Sequence, residues 1–129
     1  MQNFFVRTGA LLAALSVILG AFGAHALKQF FSEKGLSIFE TGVRYQIYHA
    51  FALIITGILY KEYGHKFLIY AGRLFVAGIV IFSGSLYILA YTISMGQDGL
   101  MWIGAITPLG GVCFITGWIF LAIGVTKKK

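Results

Sequence analysis

The chain is poor in charge, above all in acidic residues, and it contains one cysteine and one proline. Of its 129 residues, 11% are charged and 59% are hydrophobic, whereas about 25% charged residues is usual in a soluble domain. Four residues are Asp or Glu and ten are Lys or Arg. The single Cys113 excludes an intramolecular disulfide and a CxxC redox centre. The composition therefore excludes an ordinary soluble domain and a dithiol oxidoreductase.

The hydrophobic residues form four blocks, each near the length that crosses a bilayer, roughly 20 residues at 1.5 Å each. We name them spans one to four: Phe4–Leu27, Tyr45–Tyr60, Phe67–Ser94 and Leu100–Thr126. The spans lack the alternation of apolar and polar residues that is typical of barrel strands. In lipid every backbone N–H and C=O needs a hydrogen-bond partner within the protein, and a helix provides one. The sequence predicts an all-α integral membrane protein, a four-helix transmembrane bundle that occupies residues 1–129 as one domain.

The positive charges flank the spans and predict the orientation. One side collects most of them: Arg7, Lys61, Lys66, Arg73 and Lys127–Lys129. The other side has Lys28, Lys34, Arg44 and Asp98. Since positive residues favour the cytoplasm, we expect a multi-pass protein of the cell membrane with both termini cytoplasmic. The net charge of +6 is then a topology signal, and we expect no nucleic-acid partner.

The N-terminus has a second interpretation. Arg7, the apolar stretch after it and Ala24-His25-Ala26 also fit a signal peptide with an A-x-A cleavage site. The same stretch is long enough to span, and we take it as span one.

Small residues recur along each span with the seven-residue period of a coiled coil. The four stripes are Gly9, Ala13, Ser16, Gly20, Gly23; Ala50, Gly57, Gly64; Ala71, Gly78, Ser85, Thr92; and Gly110, Gly117, Gly124. Such stripes let helix backbones approach closely in lipid. They predict a compact bundle, although the stripe of span one also fits contact with a second copy.

The connection of residues 28–44 mixes aromatic and charged residues and is too polar to span. It predicts an interfacial amphipathic segment between helices 1 and 2, with these apolar side chains in the headgroup layer: Phe30, Phe31, Leu36, Ile38 and Phe39. Ser37 and Glu40 fit a capping box, so that a helix begins at Ile38 and continues into span two. Gly64 is a plausible helix stop.

The short third loop predicts an antiparallel hairpin of spans three and four. Counting from its centre, Ser83, Gly84 and Ser85 lie near mid-membrane, opposite a stretch containing a proline and two glycines: Thr107, Pro108, Leu109, Gly110 and Gly111. Proline removes a helix hydrogen bond, and a broken helix at this depth is typical of transporter sites. Glycine and proline are also ordinary in membrane helices.

A polar cluster is predicted where span one ends and span two begins. It comprises His25, Glu40, Arg44, Tyr45 and His49, with the two histidines at similar depth. Ionisable residues within spans are functional candidates, so the cluster is either a structural clasp or a ligand- or proton-handling site. Two histidines on neighbouring helices are also compatible with axial haem ligation, but nothing else supports a haem or a metal, and we expect no cofactor.

Four blocks in order carry a family resemblance: GAFGAHAL, FETGVRYQIYHAFAL, FSGSLYILA and GAITPLGGVCFITGW. The chain resembles the domain of unknown function 423 family and, with it, the transmembrane protein 256 group. The resemblance implies a small membrane protein of about four helices without an established biochemical role. The family signature falls on Gly20, Gly23, His25, Tyr45, Tyr48, His49, Ser83, Gly84, Ser85, Thr107, Pro108, Gly110, Gly111 and Trp118.

Two functional hypotheses remain, and no catalytic constellation supports an enzyme. In the first, the chain is a structural or accessory membrane subunit, in contact with the bilayer and with a second copy or a partner membrane protein. In the second, it binds or passes a small molecule or protons through an outward-facing pocket. The pocket residues are His25, Glu40, Arg44, Tyr45, His49, Ser83, Ser85 and Thr107.

Overall fold

The structure is a computed structural model that describes residues 1–126 and residue 128, without the side chains of residues 98–101. The predictions made for Lys127, Lys129 and the Asp98 side chain lie outside these described residues. The elements are all helical: α1 (Gln2–His25), α2 (Glu33–Tyr63), α3 (Lys66–Gly78), α4 (Gly84–Ser94) and α5 (Thr107–Gly124). Short 3₁₀ stretches cover Leu27–Gln29 and Asp98–Ala105, and a π-helical turn, Ile79–Ser83, joins α3 to α4.

Three helical stretches are long and apolar enough to cross a membrane. They are Gln2–Gln29, Lys66–Ser94 and Trp102–Gly124, and an 18-residue window within each has a mean hydropathy of 2.0, 2.1 and 1.9, respectively. Because α3, the π turn and α4 are continuous, the second stretch is one helix of 29 residues. The prediction of a helical membrane protein is confirmed. Helix α2, of 31 residues, is not among these stretches, since its N-terminal half is more polar.

Helix α2 begins five residues before the predicted start. Its N-cap is Ser32, whose hydroxyl accepts a hydrogen bond from the Gly35 N–H at 3.1 Å. The Ser94 hydroxyl at the end of α4 accepts from the Ser32 N–H at 3.3 Å. The capping box at Ser37 is therefore wrong. Since residues 33–44 are the first turns of α2, the prediction of a separate interfacial segment is corrected from Glu33 onward.

The first turns of α2 pack within the bundle because two glycines, Gly35 of α2 and Gly23 of α1, allow close contact with α4 and α1. A Cβ on Gly35 would lie 3.0 Å from the Ala90 carbonyl oxygen of α4. Phe39, 6% exposed, covers Gly23 of α1. The helix thus lies between α1 and α4 from its first turn.

The turn from α2 to α3 is as tight as predicted. Gly64 has φ of 63°, in the left-handed region that favours glycine, and its N–H donates to the Tyr60 carbonyl at 2.9 Å. His65 then caps α3, since its Nδ1 accepts from the Phe67 N–H at 3.2 Å. The prediction of Gly64 as the helix stop is confirmed.

The small-residue stripes lie at helix contacts. A Cβ on Gly9 would lie 2.8 Å from the Ala50 carbonyl oxygen, so the stripe of span one faces α2. In α5, added Cβ atoms on Gly110, Gly117 and Gly124 would lie 2.5 to 2.7 Å from the α3–α4 helix, at these residues: Phe82, Phe75 and Leu68. The seven-residue periods therefore predicted the packed faces correctly.

Helix α2 occupies the centre of the bundle. Helix α1 packs along one side of it and the α3–α4 helix along another, while α5 packs mainly on α3. At one end Gln2 lies against Gly57, and Lys128 forms an ion pair with Glu62. The hydrogen bond with Glu62 raises the pKa of Lys128. Both ends of the described chain thus lie at the end of the bundle where α2 stops.

Candidate functional site

His49 lies at the middle of α2, with about 24 Å of helix before it and about 21 Å after it. Its Nδ1 is 2.7 Å from the Tyr45 carbonyl oxygen, which only accepts. Its Nε2 accepts a hydrogen bond from the Trp118 Nε1–H of α5 at 3.0 Å. These partners assign the neutral tautomer with the proton on Nδ1. Both ring nitrogens are therefore used in holding the ring.

The ring of His49 lies in an aromatic stack between α2 and α5. It is parallel to Phe114, with ring centroids 3.5 Å apart and 12° between the planes. Phe75 of α3 closes the inner side, with its centroid 5.7 Å away. Only 5% of His49 is exposed.

Outside this stack a groove runs along the side of the bundle. It has a volume of about 390 Å³ and these lining residues: Tyr45, His49, Phe82, Gly111, Phe114, Ile115 and Trp118. The groove exists because α2 and α5 make few direct contacts and are bridged by α3. It is open on the side of the bundle and is mostly apolar, with the His49–Trp118 hydrogen bond as a polar spot.

A second polar contact joins three helices at Gln46. The Gln46 amide nitrogen donates to the Leu12 carbonyl of α1 at 3.0 Å, and its oxygen accepts from the Tyr87 hydroxyl of α4 at 2.6 Å. Gln46 is 2% exposed. Sequence reasoning gave this residue no role. The sequence does contain a signal for it. Gln46 lies one helical turn before Ala50, on the side of span two that the small residues predict to be buried.

One serine and the threonine of the predicted hairpin meet. The Ser85 and Thr107 hydroxyls are 2.6 Å apart, which confirms the predicted register to within two residues. The Ser83 hydroxyl, at the end of the π turn, donates to the Gly42 carbonyl of α2 at 2.7 Å. Both contacts fasten the long α3–α4 helix to a neighbour.

Pro108 does not kink a helix. It lies in the first turn of α5, which begins at Thr107. At that position a backbone N–H would have no acceptor within the helix, so proline, which lacks the N–H, loses no hydrogen bond. Gly110 provides the close approach to Phe82, whereas a Cβ on Gly111 would have nothing within 4 Å. The predicted helix break is thus a helix start, preceded by the 3₁₀ stretch.

Three members of the predicted cluster form no contact with His49 in the part of the chain that the structure describes. Gly23 lies opposite Phe39 and Gly9 opposite Ala50, so His25 is about three turns from His49 along the α1–α2 contact. The prediction that the two histidines share a depth is wrong, because residues 33–44 continue α2. Glu40 and Arg44 are exposed, and within the described chain they form no ion pair with each other.

The polar side chains of the interior are hydrogen-bonded, either across helices, as Gln46 and Ser83 are, or to a carbonyl of their own helix, as Ser16, Thr56 and Thr92 are. In the part of the chain that the structure describes, no buried side-chain nitrogen or oxygen lacks a hydrogen-bond partner. Nor do three His, Cys, Asp or Glu side chains among these residues lie close enough to share a metal ion. Chemically the arrangement can tie helices together and can accept an apolar or aromatic group in the groove.

These features define a class: a helical integral membrane protein in which several buried polar side chains join neighbouring helices. The chain belongs to the DUF423 family, whose model, described as "Protein of unknown function (DUF423)", matches residues 19–111. The resemblance drawn from the sequence is thereby confirmed. No solved structure matches the chain.

Relatives cover nearly the whole chain. A "UPF0382 membrane protein YwdK" of Bacillus subtilis is 47% identical over 127 residues, 98% of either chain. A "UPF0382 membrane protein SH2409" of Staphylococcus haemolyticus is 45% identical over 126 residues, again 98% of each. A "UPF0382 membrane protein" of Haemophilus influenzae is 38% identical over 129 residues, covering 100% of this chain and 98% of its own. These names agree with a membrane location.

Proposed function

We propose that the chain is a structural or accessory subunit of the cell membrane, which acts through contacts of its helices with another membrane protein. One observation carries the proposal: no buried side-chain nitrogen or oxygen of the described residues lacks a hydrogen-bond partner, and four of these side chains bond to another helix, namely His49, Gln46, Ser83 and Ser85. A catalytic or proton-handling residue has to lie within hydrogen-bond reach of the group whose proton it moves. In the described centre of the bundle the two ring nitrogens of His49 bond to the Tyr45 carbonyl and the Trp118 N–H, so they support the helix packing that a structural subunit needs.

The proposal includes α2 as a fourth membrane crossing with both termini in the cytoplasm. A 31-residue helix is about 46 Å long, enough to cross the hydrocarbon core. Helix α2 lies against α1 and the α3–α4 helix over most of its length, and both are long and apolar enough to span. The end of the bundle that holds Met1 also holds Lys61 and Lys66, in agreement with the positive-inside rule.

The groove supports a second candidate function, the binding of an apolar or aromatic small molecule. Its volume of about 390 Å³ falls in the range of ligand sites, about 300–1,000 Å³. Its one polar spot, between His49 and Trp118, would orient such a ligand. The structural role is favoured because both His49 nitrogens already have partners and because the groove opens toward the lipid side.

Native mass spectrometry of the chain released from membranes in a mild detergent separates the two candidates. The structural role predicts a protein complex, either several copies or one copy with another membrane protein, and no retained small molecule. The matched control is Gly111→Leu, which fills the groove at a position with nothing within 4 Å of an added Cβ. A bare monomer with a small molecule that Gly111→Leu releases would contradict the structural role and support the groove.

A further inference from the structure

The side of α2 turned away from the bundle carries both charge and apolar surface. We define the outward face as Glu40, Arg44, Tyr48, Phe51 and Ile55, which share one side of the helix. Tyr48, Phe51 and Ile55 are 53%, 55% and 49% exposed, and Glu40 and Arg44 are exposed as well. The half nearer the N-terminus of α2 is polar, and the other half is apolar.

Arg44 lies at mid-depth of the neighbouring spans. Two residues before it, the Gly42 carbonyl accepts from Ser83, near the middle of the stretch Lys66–Ser94. Two residues after it, Gln46 donates to Leu12, near the middle of the stretch Gln2–Gln29. The N-terminal end of α2 is about 16 Å of helix away. Arg44 is thus far from the helix ends, where snorkelling is ordinary.

Charged side chains at this depth require a partner. They are rare in spans and almost always face the protein interior, a water-filled cavity or an opposite charge. Within the part of the chain that the structure describes, neither Glu40 nor Arg44 has a side-chain hydrogen bond or an ion pair, and both point away from the bundle. Arg44, at mid-depth, therefore needs a partner from outside the single chain, and Glu40, one turn nearer the start of α2, is exposed on the same side.

We infer that the outward face of α2 is the interface between two copies of this chain in the bilayer. Copies inserted in the same orientation are related by a two-fold axis along the membrane normal, which makes their α2 helices parallel. A two-fold interface pairs residue i with j and j with i. Glu40 of each copy then meets Arg44 of the other, as charged residues pair across parallel helices.

The face is self-complementary beyond this charge pair. One turn toward the C-terminus, Tyr48 meets its equivalent near the axis, and Phe51 and Ile55 supply apolar packing. A lipid headgroup is a poor occupant, because Arg44 lies at mid-depth and headgroups lie at the surfaces. The inference rests on the proposed structural role and deepens it by naming the partner as a second copy.

Disulfide crosslinking in native membranes tests the interface. In a Cys113→Ala background, Tyr48→Cys reports on the outward face of α2. The matched control is Leu109→Cys, which is 62% exposed on α5 and lies two residues from Thr107, which contacts Ser85. With a copper–phenanthroline oxidant, we expect Tyr48→Cys to give a dimer of twice the mass and Leu109→Cys to stay monomeric. Equal crosslinking of both, or none at Tyr48→Cys, would overturn the interface.

Charge exchange tests the pairing itself in the Tyr48→Cys background. Differently tagged chains carrying Glu40→Arg or Arg44→Glu are co-expressed, and we expect mixed dimers to exceed like dimers by about tenfold. The double variant E40R/R44E, whose charge composition is unchanged, should crosslink to itself as the parent does. Random pairing, or loss of crosslinking in the double variant, would overturn the inference.

A crosslink from Tyr48→Cys to a protein of another mass would also overturn the inference, since the partner is then not a second copy. The proposed structural role would survive that result. Failure of the structural role itself shows separately, as a monomer that retains a small molecule in native mass spectrometry.

Discussion

Single polar residues in the middle of this bundle act as fasteners. His49 joins α2 to α5 through Trp118, and Gln46 joins α2 to α1 and α4 through Leu12 and Tyr87. Interhelical hydrogen bonds in membranes contribute modestly, on average about 0.6 kcal/mol. Their loss costs more when the remaining partner is buried and left without an acceptor.

The two histidines give a matched pair for this claim. We expect His49→Ala to lower the free energy of unfolding by about 1–3 kcal/mol, because it leaves the Trp118 N–H unpaired and opens a gap beside Phe114. His25→Ala should change it by less than about 0.5 kcal/mol, since His25 is exposed. Reversible denaturation in detergent micelles measures both. Equal losses for the two variants would show that the His49 contacts contribute nothing specific.

At the scale of the helices, close packing depends on glycine at particular positions. Gly110 lies where α5 crosses the α3–α4 helix, and an added Cβ would be 2.5 Å from the Phe82 backbone nitrogen. Its neighbour Gly111 faces the groove, with nothing within 4 Å of an added Cβ. One glycine is therefore required by packing and the next is not.

Alanine at each glycine tests this difference. Gly110→Ala should destabilise the bundle by about 1–3 kcal/mol, since the helices must separate. Gly111→Ala should be neutral or stabilise by up to about 1 kcal/mol, because alanine is the better helix former. Thermal unfolding of the two variants in the same detergent is the measurement. A destabilisation by Gly111→Ala that matches Gly110→Ala would contradict the packing of α5.

The sequence predicted the helix contacts better than the helix ends. The seven-residue spacing of Gly110, Gly117 and Gly124 predicts which side of α5 is buried. In the structure that side packs against the α3–α4 helix. The start of α2 was missed because residues 33–44 are polar enough to resemble an interface. Their helix is stabilised by packing of Gly35 and Phe39 against other helices, which local composition does not report. The π turn Ile79–Ser83 left no signal in the spacing.

At the scale of the whole molecule, the sequence predicts the register of spans three and four correctly. It does not predict how deep in the bundle the residues of α2 lie. The hairpin count brought Ser85 near Thr107 because a short loop fixes the register of two helices. The sequence predicts His25 and His49 at one depth only if span two begins at Tyr45. Once α2 extends from Glu33, His49 moves to mid-helix and its partners become Trp118 and Phe114 on α5, which no spacing rule connects to α2.

The depths of His49, Gln46 and Arg44 in the bilayer all depend on whether α2 crosses the membrane. The direct measurement is labelling of single cysteines in intact cells with a membrane-impermeant maleimide, in a Cys113→Ala background. Lys34→Cys and Lys61→Cys place exposed thiols near opposite ends of α2, and Gln97→Cys is the control on the Lys34 side. We expect labelling at positions 34 and 97 in intact cells, and at position 61 only after permeabilisation. Labelling of positions 34 and 61 from the same side would contradict it.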